Sequence, residues 1–194
     1  MIRVQVTDRL IAEARTLIDD SHQTLKDAGR YTDENLLIGA LGEIAVIDYC
    51  WNNDLLIFKN EGRSSDLKLY SGQTVEVKTQ KVSSAPELHY CVVIYSKQET
   101  TERSDFYFFT HLHYVAGRPE AVYLLGGCSW DKFWRLSVRH LQGSPMMRHY
   151  RDGNEVANGR YFAEDMNLLP ISQLAPPSAT LKHFKSLQQR EEAQ

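Results

Sequence analysis

The sequence predicts an α/β chain of the α+β kind. Three observations carry this. Two stretches with helical apolar spacing fill the N-terminal quarter. Apolar segments rich in β-branched and aromatic residues then recur between positions 55 and 127. Ser71-Gly72 lies between two of them, as a hairpin turn would. With 194 residues and 22.3 kDa, the length suits one domain with appendages. Hydrophobic residues make up 42% and charged residues 24%, enough for a real core. A net charge of −3 argues against a basic coat for nucleic acid and leaves room for a local basic patch.

The elements follow in order. "VTDRLIAEARTLIDD" offers Thr7 or Asp8 as N-cap, with Leu10, Ile11, Ala14, Leu17 and Ile18 at helical spacing. "SHQTLKDAGR" extends that helix or forms a second short one before Gly29. "YTDENLLIGALGEIAVIDYCW" is the clearest helix, capped by Thr32 or Asp33 and ended by "NND". "LLIFKN" (55–60), "DLKLY", "TVEVKTQ", "HYCVVIYS" (89–96), "DFYFFTHLH" (105–113) and "AVYLLGG" (121–127) read as strands. "SWDKFWRL" reads as a short helix capped by Ser129. From Ser137 to Leu174 the chain is polar and Gly-rich, which predicts loops and a small hairpin. A Pro break at "APPSAT" opens a charged tail, partly helical or frayed.

"TVEVKTQK" raises the functional question. In a strand, residues two apart share a face, so Glu76, Lys78 and Gln80 stand together opposite Val75 and Val77. Pairing "DLKLY" with this strand across a turn at 71–73 brings Asp66 opposite 77–78, next to Glu76. A three-residue turn sets Asp66 directly across from Lys78 and diagonal to Glu76; a two-residue turn shifts the parity. The helix adds a third acid. With about 100° per residue, Glu43 falls about 20° from Leu36, at the border of the apolar stripe. Gly39 and Gly42 weaken that helix and are expected where its backbone meets the sheet closely.

Clustered carboxylates raise one another's pKa unless positive charge lies between them. An oxygen-only ligand set favours Mg²⁺, with Mn²⁺ as a substitute. A lysine on the same face can orient the attacking water and offset charge on a phosphoryl group in transition. These residue types together outline a phosphodiester hydrolysis site.

Glu43 on a helix, "SSD" ending at Asp66, and "VEVK" with Glu76 and Lys78 resemble the PD-(D/E)xK nuclease superfamily. The similarity spans roughly residues 33–136; Ser65 stands where the family name places proline. The resemblance implies a restriction-endonuclease-like core, a mixed central β-sheet flanked by helices. It implies a single nuclease domain over 1–175, with its core at about 33–136, an irregular extension at 137–175 and a charged C-terminal tail at 176–194. It also implies roles. Asp66, Glu76 and the Val77 carbonyl would bind the metal, and Glu43 would hold a second ion or a water of its shell. Lys78 would position the attacking water, and Gln80 would touch phosphate or support the site from behind. The resemblance implies metal-dependent, endonucleolytic hydrolysis of DNA phosphodiester bonds, leaving a 5′-phosphate and a 3′-hydroxyl, with sequence specificity in loops outside the motif.

Lys59, Arg63 and Lys81 lie near this set in sequence and are expected phosphate contacts. Between Arg135 and Arg160, five arginines face two carboxylates, so Arg148 and Arg151 are further DNA-contact candidates. His111 and His113 alternate on one strand and could form half a metal site, but no carboxylate–histidine motif accompanies them. Cutting both strands of a duplex from one site per chain favours a homodimer. Three cysteines (Cys50, Cys91, Cys128), an odd count, predict reduced thiols in a cytoplasmic protein. The start "MIRVQVTDRL" lacks an apolar signal region, and no run reaches membrane-spanning length. The alternative to an enzyme is a non-cleaving DNA-binding or accessory protein on the same fold.

Overall fold

The computed structural model describes residues 1–21, 32–60, 65–101, 103–149 and 155–192. In chain order the elements are β1 (Ile2–Gln5), α1 (Asp8–Ser21), α2 (Asp33–Trp51), β2 (Ile57–Lys59), β3 (Leu67–Leu69), β4 (Thr74–Val82) and β5 (Cys91–Tyr95). Next come α3 (Gln98–Thr101), β6 (Phe106–Val115), β7 (Arg118–Ser129), α4 (Trp130–Leu136) and β8 (Val138–His140). The last are β9 (Pro145–His149), β10 (Glu155–Tyr161), β11 (Met166–Pro170) and α5 (Pro177–Glu192). The expectation for "SHQTLKDAGR" falls outside the described residues after Ser21.

The fold is α+β. Its main sheet has six strands in the order β1-β7-β6-β4-β3-β2. The β4–β6 pair is parallel and the other pairs are antiparallel, so the sheet is mixed. A parallel pair needs a crossover, and residues 83–105 supply it through β5 and α3. A second sheet of three strands has the order β5-β11-β8, and β9 and β10 form the small hairpin. No helix among the described residues is long and apolar enough to cross a membrane.

The run "FYFF" in β6 is apolar on both faces because the sheet is covered on both. Phe108 and Leu112 join a core with α1, α2 and Leu181 and Phe184 of α5. Tyr107 and Phe109 join a second core with Val92 and Ile94 of β5, Phe133 of α4 and Leu169 of β11. The segment expected as irregular thus contributes β8 and β11 to a covering sheet. The tail expected as partly helical or frayed is a helix whose Leu181 and Phe184 are buried. With Leu10, Ala14 and Ile18 also buried, the core reaches beyond 33–136 in both directions.

Capping explains the helix starts. Thr7 Oγ1 accepts from the Leu10 amide, Thr32 Oγ1 from Asn35 and Ser129 Oγ from Lys132. Among the two helical glycines, only Gly42 meets the sheet. A Cβ there would lie 1.9 Å from Thr79 Oγ1 and 2.8 Å from Thr110 Oγ1. At Gly39 a Cβ would meet nothing within 4 Å, which corrects the expectation of close packing there.

Candidate active site

The hairpin between β3 and β4 sets the first two acids. Leu69 donates its amide to the Gln73 carbonyl at 2.8 Å, so the loop is Tyr70, Ser71 and Gly72, with Gly72 at φ 91°. A three-residue loop ending in a left-handed residue favours glycine in that place. The pairs Leu67–Val75 and Lys68–Thr74 follow. Extending that register brings Asp66 to Glu76, not across from Lys78 as a turn at 71–73 implied. The loop begins one residue earlier, and the pairing shifts with it.

Asp66 is anchored twice. Its Oδ2 accepts the Val77 amide at 2.8 Å, and its backbone carbonyl accepts the Asn60 amide at 2.9 Å. Ser65, which is buried, receives the Asn60 side-chain amide on its Oγ at 2.7 Å. Beyond the hairpin, Glu76 and Lys78 share one face of β4, and Lys78 Nζ lies 2.7 Å from Glu76 Oε1.

Glu43 is buried rather than merely bordering solvent. Its Oε2 receives Lys59 Nζ at 3.0 Å. Lys59, a partly exposed residue expected to contact phosphate, extends from β2 to this glutamate. Burial raises the Glu43 pKa most, and Glu76 raises it further, against the lowering effect of Lys59. Asp66 is pushed up to about 7, first by burial and then by Glu43; the Val77 amide, Lys78 and Lys59 pull the other way. Each acid therefore responds electrostatically to another member of the set. Glu43, Asp66, Glu76, Lys78 and Lys59 form one electrostatic cluster, built from α2, β2, the β3 lead-in and β4.

Gln80 and Lys81 continue along β4 and line a cleft of ≈ 1520 Å³ that also reaches Val77 and Lys78. Lys81 pairs with Glu34 and lies 4.3 Å from the Tyr114 ring centroid. Arg63 and Arg151 lie outside the described residues. Arg148 belongs to β9, opposite Val156, and its side chain is outside the description. Of the other arginines in that region, Arg139 is bound to Asp165 at 2.6 Å.

The sequence offered His111 only as half of a metal site with His113. His111 is buried at 2% exposure, lines the same cleft and stands beside Gln80 in the β4–β6 register. Among the described residues neither ring nitrogen has a hydrogen-bond partner, and burial lowers its pKa to about 4. Its place in a strand pattern of alternating residues was visible; its lack of a partner was not.

Among the described residues, no group of three or more His, Cys, Asp or Glu side chains stands in a metal-holding arrangement. Glu43 and Glu76 are turned to lysines and Asp66 to a backbone amide. The chemistry of the donors nevertheless fits a hard divalent cation, because all three acids are oxygen donors; the raised pKa values of Glu43 and Asp66 come first from burial. No protein-family model matches this chain, and no curated protein matches it.

Proposed function

We propose that this chain is a Mg²⁺-dependent deoxyribonuclease of the PD-(D/E)xK kind, acting as an endonuclease on a restriction-endonuclease-like core. One observation carries the reading: Glu43, Asp66, Glu76 and Lys78, from three separate stretches of sequence, act on one another in a single cluster, and its Lys78 lines a large cleft. The mixed sheet with α2 packed on it supports the core assignment.

Asp66, Glu76 and the Val77 carbonyl would hold Mg²⁺ or Mn²⁺, with Glu43 behind them. When bound, the cation would supply Lewis-acid activation and charge neutralisation at the phosphate. Lys78 orients the attacking water with its Nζ, within reach of Glu76. The water oxygen forms a bond to phosphorus as the bond to the 3′-oxygen breaks. The water's proton passes to solvent, the leaving oxygen takes one up, and the products are a 5′-phosphate and a 3′-hydroxyl. Gln80, exposed beside the cleft, is placed to contact a neighbouring phosphate.

The test is cleavage of supercoiled plasmid and of single-stranded circular DNA with Mg²⁺, Mn²⁺ or EDTA, comparing wild type with Glu76→Ala and Lys78→Ala. Metal-dependent cutting that both variants lose supports the reading. Equal cutting by the variants sinks it.

A second reading has its own observation. Glu43 and Glu76 already have lysine partners, so the cluster is partly neutralised without a cation. That favours a non-cleaving DNA-binding or accessory protein. A melting temperature unmoved by Mg²⁺ or Mn²⁺, together with DNA binding and no cutting, would select it.

A further inference from the structure

Two positions on the cleft oppose the stability of the fold without an intramolecular return. Gly39 lies inside α2, where glycine weakens a helix. Gly42, one turn on, is required because a Cβ would strike Thr79; Gly39 has open space where its Cβ would be. Across the sheet, His111 is an imidazole at 2% exposure with neither nitrogen partnered among the described residues. Burying a polar group without a hydrogen bond is unfavourable. Both residues line the cleft that Lys78 and Gln80 enter. Departures from stabilising choices that coincide at one cavity point to a ligand.

The cleft also indicates what kind of ligand. Its ≈ 1520 Å³ exceeds the roughly 300–1,000 Å³ of small-molecule pockets. Its lysines, Lys78 and Lys81, are each already paired with a glutamate. A duplex presents closely spaced phosphates on two strands and calls for many cations. Tyr90 and Tyr95 line the cleft wall, the Tyr90 ring in a T-shaped contact with His89 at 4.8 Å and the Tyr95 ring 5.2 Å from Lys97 Nζ. Aromatic side chains along a groove suit the bases of a single strand.

We propose that the cleft holds single-stranded DNA, with the strand passing the bare backbone of Gly39 and a polar group of the strand hydrogen-bonding to His111. This rests on the nuclease reading only for the place of the cut. The missing side chain at Gly39 leaves room for the strand, and the neutral imidazole has one donor and one acceptor to offer it.

The experiment uses the full chain with Lys78→Ala, to prevent cutting, and a fluorescein-labelled oligothymidylate of about a dozen nucleotides read by anisotropy. Unlabelled oligothymidylate should compete about tenfold better than a duplex of equal length. Adding Gly39→Ala should raise the melting temperature by about 2–4 °C and weaken oligonucleotide binding about tenfold. Adding His111→Leu should leave the melting temperature equal or higher and also weaken binding. A duplex that competes as well as the single strand overturns the proposal. So does undiminished binding by both added variants, or no binding of the oligonucleotide at all. If binding behaves as stated while wild type cuts neither plasmid nor single-stranded circles, the nuclease reading alone fails.

Discussion

Asp66 Oδ2 accepts the backbone amide of Val77 at 2.8 Å, joining the end of one hairpin strand to the strand that carries Glu76 and Lys78. This bond keeps Asp66 beside Glu76 although Asp66 itself precedes β3. It also opposes the rise of the Asp66 pKa, which burial and Glu43 still carry to about 7.

That pKa predicts a pH dependence. An acid whose folded pKa lies above its ordinary 3.8 binds its proton better folded than unfolded. The favourable contribution is therefore complete at low pH and is lost as pH rises from about 4 to about 7. In EDTA, this group should lower the wild-type melting temperature across that window. Asp66→Asn, which keeps an acceptor for the Val77 amide, should remove that part of the slope and melt higher at pH 8. It should also show a smaller melting shift with Mg²⁺. Melting curves in a pH series, with and without metal, check both.

Lys59 should matter through Glu43. Replacing Lys59 by Met leaves a buried carboxylate without this 3.0 Å partner. The lysine is partly exposed, so the loss should be about 2 kcal/mol rather than the larger figure for a fully buried pair. Urea denaturation at neutral pH measures it. Added Mn²⁺ should recover part of the loss if the acids hold the ion.

The two helix glycines should respond in opposite directions. Gly42→Ala forces a methyl against Thr79 and Thr110 and should cost about 1–3 kcal/mol. Gly39→Ala should gain about 0.5–1 kcal/mol. Parallel thermal melts of the two variants decide this, and equal changes would contradict the packing described.

The C-terminal helix should be essential to stability. Phe184 is fully buried, with its ring 5.3 Å from that of Phe106. Phe184→Ala should cost about 3–5 kcal/mol, a melting drop of about 10 °C. A melting temperature within a degree or two of wild type would show that α5 does not complete the core.

Much of the fold is legible locally. Thr32 and Ser129 mark helix starts because a hydroxyl beside free amides is a local signal. The strands from β2 to β7 stand out as apolar runs between turn residues. β1 does not, because Ile2 pairs with Leu124, far along the chain. β8 is short, and β11 is set by pairing with β5, far back in the chain, as well as with β8. Leu181 and Phe184 sit among charges, so the apolar face of α5 is narrow and easily read as a tail. At the site, the residue types Glu43, Asp66, Glu76 and Lys78 were legible. Their alignment was not, because it depends on where Gly72 falls in its loop. Nor was the pairing of Lys59 with Glu43, which only the tertiary packing of α2 against the sheet creates.

The pairing of β1 with β7 also governs when the protein can form. A ribosome adds about 5–20 residues per second, so β1 waits on the order of ten seconds for its partner to be made. Throughout that interval Ile2 and Val4 have no sheet to join, and α1 lacks the finished core beneath it. The nascent chain therefore depends on its surroundings to keep its first strand from other edges until β7 emerges. An insertion between β1 and β7 would lengthen that interval and act on yield long before it acts on the folded molecule.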